Sequence, residues 1–488
     1  MTGYEKTLPS YWINSKLGEV CQTTSGGTPS RKNPSFYDGN IPWVKSGELN
    51  YNIILETEEH ISEDAIKKSS AKIFSKGTLL VALYGATIGK LAILGIEAAT
   101  NQAVCAIFKN GIFESKFLYY LLFHRRQDLI KEGIGGAQPN ISQTILKNLE
   151  IPICPLPEQR AIISKIEQLF SELDNGIANL KLAQEQLKVY RQAVLKKAFG
   201  GELTKKWRKQ QIDLPGAGDL LEQIRKEREE TRKTSSKKQK HITLLTEEKL
   251  IELPQVPEKW KWVKIGEVLD VFVGSTPSRK EPKFWRGDIP WVSSGEVAFC
   301  RINSTKESIT KLGLDNSSTQ IHPIDTVMLG MIGEGKTRGQ VAILNINACH
   351  NQNTAAIRIN SNYLSEFVYY FFEKNYNENR RIGSGNNQQA LNKNIIENMS
   401  IPLCSLPEQQ VIVQEIETRL SVCDKIEQDI ADNLVKAEAL RQSILKKAFE
   451  GKLLNERELA EVRKAEDWEP AEVLLERIKA ENAGNRNK

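Results

Sequence analysis

Two short loops carry the side chains best suited to hydrogen-bond a nucleic acid. Thr28, Ser30, Arg31 and Lys32 lie in one Pro/Gly loop, and Thr276, Ser278, Arg279 and Lys280 lie in the other. Hydroxyl, guanidinium and ammonium groups donate to phosphate oxygens and to base edges. Lys45 and Ser46 follow the first loop, after a Trp and a Val, where a strand should end; Ser293 and Ser294 hold that place after the second. Tyr84 and Lys90 flank a Gly turn, whose counterpart, Gly333 to Arg338, contains Lys336. Arg381 opens the segment RIGSGNNQQ, which holds Asn386 and Asn387; GIGGAQPN at Gly133, with Gln138, is its match. Carboxamides can read adenine through two hydrogen bonds. Taken singly, each of these residues is more readily a turn former, a cap or a surface group. As a set they favour contact with duplex DNA.

Catalytic chemistry finds little support. Gly330 to Thr337, GMIGEGKT, satisfies Gly-x-x-x-x-Gly-Lys-Ser/Thr. A phosphate-cradling loop must open a helix, whose N-terminal amides bind the phosphates. Here RGQVAIL follows, which reads as a strand, and YGATIGKLAIL occupies the same place earlier in the chain without the pattern. No Asn/Asp-Pro-Pro-Tyr/Phe segment for a flipped adenine and no dinucleotide-type glycine fingerprint is present. His60, His124, His241, His322 and His350 show no metal-ligand spacing, and Cys349-His350 reads as structural. The expectation is a chain without catalytic, cofactor or metal residues.

The elements that must position the loops are written twice. GGTPSRKNPSFYDGNIPWVKSGE begins at Gly26 and GSTPSRKEPKFWRGDIPWVSSGE at Gly274. Asn101-Gln102 aligns with Asn351-Gln352, IPICPLPEQ at Ile151 with IPLCSLPEQ at Ile401, and RQAVLKKAFGGEL at Arg191 with RQSILKKAFEGKL at Arg441. The offset is 248 residues early and 250 later. A unit written twice at this length is a duplication, not a solenoid of short repeats.

Each copy opens with a head, 1–155 and 251–405, where short apolar runs alternate with Gly/Pro turns. GTLLVALYGATIGKLAIL reads as strand, turn, strand; SKFLYYLLFHRRQDLIK and SEFVYYFFEKNYNEN each read as one helix. Pro-Glu-Gln at Pro157 and Pro407 opens a long helix, with proline tolerated in the first turn and the acid near the dipole's positive end. Apolar residues then recur every three or four positions, from Ile162 to Ala198 and from Ile412 to Ala448. About 40 helical residues span about 60 Å, and so narrow a seam needs a partner helix, or else a globular face to pack along. The expected class is α+β: two globular heads and two long helices forming an antiparallel coiled coil, with pseudo-twofold symmetry. The segments are 1–155 and 251–405 for the heads and 156–204 and 406–455 for the helices, with a basic helical linker at 205–250 and a helical tail at 456–488.

Composition is that of a globular protein, 40% hydrophobic and 26% charged. There is no apolar run long enough for a membrane span, and the first ten residues lack a secretory pattern. The odd number of cysteines, with no Cys-x-x-Cys, fits a reducing cytoplasm. The net charge of +6 is matched by the stretch Thr204 to His241 alone, which reads as a solvated basic linker. DNA affinity in the heads must therefore come from local patches. Two similar heads on paired helices suit two half-sites at fixed spacing, and because the heads differ the half-sites should differ. A duplicated protein-interaction scaffold with no role in DNA binding is the rival reading.

Three motifs, each present twice and in this order, resemble the specificity subunit of type I restriction–modification enzymes over essentially the whole chain. They are GTPSR (STPSR in the second copy) with IPWV-x-SGE, the Gln/Asn segment leading to IPI or IPL, and LPEQ opening a helix that ends in LKKAF-x-G-x-L. The resemblance implies that each head is a target recognition domain reading half of a bipartite duplex site. It implies that the helices set the gap and dock two methyltransferase subunits, and that motor-nuclease subunits complete the complex. S-adenosylmethionine, ATP and magnesium would act on those partners. The helical stretches Leu220 to Lys240 and Trp468 to Lys488 fit the circular arrangement of such subunits. The second head departs from the pattern in its Gln/Asn segment.

Overall fold

The computed structural model describes residues 8–133, 140–234, 244–333, 335–382 and 390–486. The chain forms two compact units. One combines residues 1–181 with 431–488; the other is 182–430.

In the first unit a five-stranded sheet has the order Thr23–Ser25, Val104–Ile107, Leu79–Ala82, Leu91–Leu94, Asn52–Ile54. All its neighbours are antiparallel except the last pair. A four-stranded sheet has the order Glu59–Ile61, Ile41–Val44, Ala98–Thr100, Ile73–Phe74. Side chains on a strand alternate between faces, and here both faces are buried. Leu80 and Ala82 join Val44, Ala92 and Val104 in one core, while Leu79 and Val81 join the core under the helix Ser115–His124. That is why LLVA reads as an unbroken apolar run. The turn after it needs Gly85 and Gly89, at φ 87° and 69°, a region that costs other residues a Cβ clash.

The second unit repeats this plan. Its five-stranded sheet runs Asp270–Val273, Thr354–Arg358, Val327–Gly330, Val341–Leu344, Cys300–Ile302, again with only the last pair parallel. Glu307–Ile309, Trp285–Val292 and Cys349–His350 form the other sheet. The Gly330–Thr337 segment turns between Val327–Gly330 and Val341–Leu344, which pair antiparallel; a strand, not a helix, follows it.

Two expected single helices are each broken once. Ser115–His124 and Arg126–Glu132 meet at Arg125 (φ −84°, ψ 2°), and Ser365–Lys374 and Tyr376–Arg381 meet at Asn375 (φ −91°, ψ 10°). The break falls at the same repeat position in both copies. At the first, the buried Arg125 side chain turns inward and its Nε donates to Asp128 Oδ2 at 3.0 Å, which periodicity alone does not reveal.

The long helices are Leu156–Phe199 and Leu406–Phe449, of 44 residues each. They pack antiparallel. In the first unit Ile162, Ile166 and Phe170 share a core with Ile444, Leu445 and Phe449. In the second, Val194, Leu195 and Ala198 share one with Ile412, Ile416 and Leu420. Each helix starts on a latch. Gln159 donates to the carbonyls of Ile112 and Cys154 and accepts from the Glu114 amide; Gln409 does the same with Asn362, Cys404 and Leu364. Each ends on a left-handed glycine, Gly201 at φ 70° and Gly451 at φ 69°, the usual device for closing the last turn. The basic stretch and the tail supply the helices Ala217–Thr234 and Ala471–Arg486. Ala217, Leu221 and Ile224 enter the second unit's core, and Ala471, Leu474 and Ile478 the first's.

Candidate nucleic-acid interface

Both candidate loops are pinned to a strand by glycine. A Cβ on Gly26 would stand 2.2 Å from the Thr100 carbonyl oxygen, and one on Gly274 2.0 Å from that of His350. Only glycine fits so close a backbone approach. Two indoles then hold the loop backbone: Trp43 Nε1 donates to Gly27 O at 3.1 Å and Trp291 Nε1 to Ser275 O at 3.2 Å. Tyr37 donates to Pro29 O at 2.6 Å, and Trp285, its counterpart, to Ser278 O at 3.2 Å.

The arginine of each loop lies over one of these rings. The Arg31 guanidinium is 3.9 Å from the Tyr37 ring centre, and Arg279 is 3.8 Å from that of Trp285. Each also pairs with a carboxylate, Arg31 with Glu59 at 2.7 Å and Arg279 with Glu307 at 2.9 Å. Lys45 reaches Glu58 at 2.7 Å and Glu59 at 3.1 Å, so Arg31 and Lys45 share one acid. Burial opposes ionisation of Glu59, yet Lys45 and Arg31 hold its carboxyl below the usual range; Arg279 does the same for Glu307. Thr28 donates to Gln102 Oε1 and Thr276 to Gln352 Oε1, fixing both carboxamides. The loop tips stay exposed: Ser30, Lys32, Ser278 and Lys280. Lys32 and Lys280 have no ion pair among the described residues.

Ser46 and Ser294 begin short 3-10 turns and are half-buried. Glu48 and Glu296 cap those turns through the backbone amides of Lys45 and Ser293, at 2.6 and 2.8 Å. Ser293 Oγ is spent on Glu296 as well, at 2.7 Å. Tyr84 is half-buried against the first unit's core, and Lys90 donates to Asn50 Oδ1 at 3.1 Å. Lys336 is exposed on its turn, with its carbonyl accepting from Tyr376 at 2.6 Å; Arg338 donates to the Arg380 carbonyl at 2.5 Å. Arg381 ends the neighbouring helix, exposed. Gln138, Asn386 and Asn387 lie outside the described residues. The structure thus gathers the candidates of each head into two groups, one around the stacked arginine and one around the glycine turn. Sequence reading missed Glu59, Glu307, Gln102, Gln352, Tyr37 and Trp285, which fix the first group. The Asn-Gln dipeptide recurring at 101–102 and 351–352 was the available signal.

Two α+β heads with matching stacked-arginine loops, each mounted on a long helix, define a duplicated, two-headed binding chain. The chain belongs to the family of type I restriction-modification DNA specificity subunits, whose domain ("Type I restriction modification DNA specificity domain") matches it twice, at residues 9–182 and 257–436. The EcoDI specificity subunit of Escherichia coli is 24% identical over 99% of this chain and 97% of its own length. The MjaIX specificity subunit of Methanocaldococcus jannaschii is 26% identical over 75% of this chain and 76% of its own. In structure, the HsdS subunit from Thermoanaerobacter tengcongensis matches 93% of this chain and all of its own, at TM-score 0.59 and 19% identity. A chain from the type I R-M system matches 91% of this chain and 99% of its own, at TM-score 0.66 and 19% identity. At that identity the structural likeness speaks for the fold. Among the described residues no helix is long and apolar enough to cross a membrane.

Proposed function

We propose that the chain supplies the DNA specificity of a type I restriction–modification complex, each head reading a different half of an asymmetric, interrupted duplex site. The observation that carries this is the loop clamp built twice from the same parts. Ring donors hold each loop backbone and an acid holds each loop arginine, while the exposed tips, Ser30 with Lys32 and Ser278 with Lys280, stay open to a ligand. A preorganised loop loses little freedom on binding. The paired helices set the distance between half-sites and dock two methyltransferase subunits, which motor-nuclease subunits join. The chain itself is non-catalytic; S-adenosylmethionine, ATP and magnesium act on the partners, in the cytoplasm. The test is to co-express the chain with its methyltransferase subunits and map methylated adenines genome-wide. Two different half-sites at one fixed gap are expected. A palindrome, or no methylation, sinks the reading and leaves the protein-interaction scaffold.

A further inference from the structure

The second head buries polar groups where the first buries rings. In the first, Phe74 packs on Phe108 with ring centres 5.8 Å apart. The aligned residues of the second are His322, four positions before Thr326 as Phe74 is before Thr78, and Arg358. His350 replaces Thr100 alongside, and the two imidazole centres are 5.0 Å apart. His322 is 0% and His350 1% exposed, and neither Nε2 has a partner among the described residues. Buried polar atoms left unpaired cost stability, so this exchange weakens the fold relative to two phenylalanines.

What the exchange achieves is a fixed cation. Arg358 Nε donates to His322 Nδ1 at 3.1 Å and its Nη2 to Ile321 O at 3.0 Å, and the guanidinium lies 4.4 Å from the Phe272 ring centre. His322 can accept that bond only when unprotonated; burial, with His350 and Arg358 beside it, brings its pKa down to about 3. Lys393 Nζ stands 5.9 Å from the same Phe272 ring, where the first head has Gln143 donating to Ser25. No carboxylate pairs with Arg358 among the described residues. Asp270, its partner across the strands, accepts instead from Arg228 at 2.6 Å. Among the described residues Lys393 pairs with Glu397 alone, at 3.5 Å. Two cations therefore share one half-exposed ring, and of the two only Lys393 has a carboxylate, at 3.5 Å, among the described residues. The patch joins the candidate loop, because the His350 carbonyl accepts from the Ser275 amide at 3.0 Å.

We propose that Arg358 and Lys393, flanking Phe272, hold the phosphodiester backbone of the duplex at the second head; at the place of Phe272 the first head has Thr24, which accepts from Lys72 at 2.9 Å. The inference rests on the DNA-specificity reading above. Such a contact adds affinity and sets register but does not choose bases. His322 is a positioning residue, since it acts through Arg358.

The test puts the first head's residues into the second, in the full chain. The variants are Lys393→Gln, the pair His322→Phe with Arg358→Phe, and all three together. Binding of a labelled random-sequence duplex is followed from about 50 to about 200 mM salt, where each phosphate contact contributes about 0.9 to the slope of log affinity on log salt. Lys393→Gln and the paired change should each lower that slope by about 1, and the triple variant by about 2. The methylated sequence, mapped as above, should not change. A wild-type chain that binds with a steep slope, matched by all variants, overturns the phosphate site and leaves the function standing. A wild-type chain that binds no duplex overturns both. Lys393 is exposed, so its variant decides the matter even if the buried pair impairs folding.

Discussion

Glu158 and Glu408 occupy one position of the repeat, in the first turn of the two long helices, and are buried alike at 2% and 0% exposed. Their surroundings differ. Glu408 accepts from Arg208 Nε at 2.7 Å, Thr204 at 2.8 Å and Trp260 Nε1 at 2.8 Å. At the matching places in the other copy stand Glu458, Leu454 and Trp12. Glu458 turns to Lys165 at 2.8 Å, and Leu454 belongs to the apolar core. Glu158 keeps a 3.4 Å bond from Tyr11, and Arg463 lies over the Tyr11 ring at 5.0 Å. Burial pushes the Glu158 carboxyl above the usual range, against the weaker pull of the Trp12 indole, the Tyr11 hydroxyl and Arg463. One sequence motif therefore makes a paired charge in one unit and an underpaired one in the other. A buried charge with its partner is nearly neutral in energy, whereas one without it is costly.

The same substitution should separate the two. Glu408→Gln strands Arg208 and should destabilise its unit by about 2–3 kcal/mol. Glu158→Gln removes an underpaired charge and should be neutral or stabilising, within about 1 kcal/mol. Hydrogen-exchange protection of amides in 258–270 and in 10–20 reports the two units separately. The pH dependence sharpens the contrast. Glu158 has a folded pKa raised above the unfolded value of about 4.3, so the fold binds its proton more tightly than the unfolded chain does. Its contribution is fully present below that value and is lost as pH rises through the raised one. The first unit of the wild-type chain should lose protection across that window, and Glu158→Gln should flatten the loss. Equal costs for the two substitutions would erase the distinction.

The sequence made this frame legible because its signals are local. Repeated motifs, alternating apolar runs, glycine turns and a seam of three or four residues mark heads and helices without reference to distant contacts. Each long helix begins at the expected segment start, Leu156 and Leu406, one residue before its proline. The Pro-Glu-Gln acid reads as a charge at a helix dipole, but the structure buries it under Trp12 or Trp260. Periodicity cannot show which face of a first turn a head will cover. The clamp was half legible. Arg31 and Arg279 stand out as loop cations, but Glu59 and Glu307 lie 28 residues further on, and only folding brings them together. The break at Arg125 and the burial of His322 are hidden for the same reason, since both depend on tertiary partners that override local preference.

The helices differ at their middles too, with a smaller expected effect. Gly176 lies inside the first long helix, and a Cβ there would meet nothing within 4 Å. Its counterpart is Ile426, 41% exposed. Glycine inside a helix costs about 0.5–1 kcal/mol relative to alanine through lost backbone entropy. Gly176→Ala should stabilise its unit by that amount, read as slower exchange of the amides in 170–181. No gain would mean that the turn at Gly176 is held by packing rather than by propensity.

The smallest effects belong to the ion pairs that repeat across the helices. Arg191 donates to Asp424 at 2.5 Å and to Glu427 at 3.0 Å. Its equivalent, Arg441, donates to Asp174, the equivalent of Asp424, and lies 4.5 Å over the Phe170 ring. Asp424 and Asp174 are more than half exposed and Glu427 nearly half, so solvent and salt screen both pairs. A double-mutant cycle on Arg191 and Asp424 should give a coupling under about 0.5 kcal/mol, because Glu427 takes over when Asp424 is removed. Among the described residues Arg441 pairs with no second acid, so its coupling with Asp174 should be slightly larger, about 0.5–1 kcal/mol, and should fall in high salt. Arg441 should still matter in the absence of Asp174, because the ring contact survives. A salt-insensitive coupling well above that range would instead make these pairs a principal bond between the helices, and the apolar seam secondary.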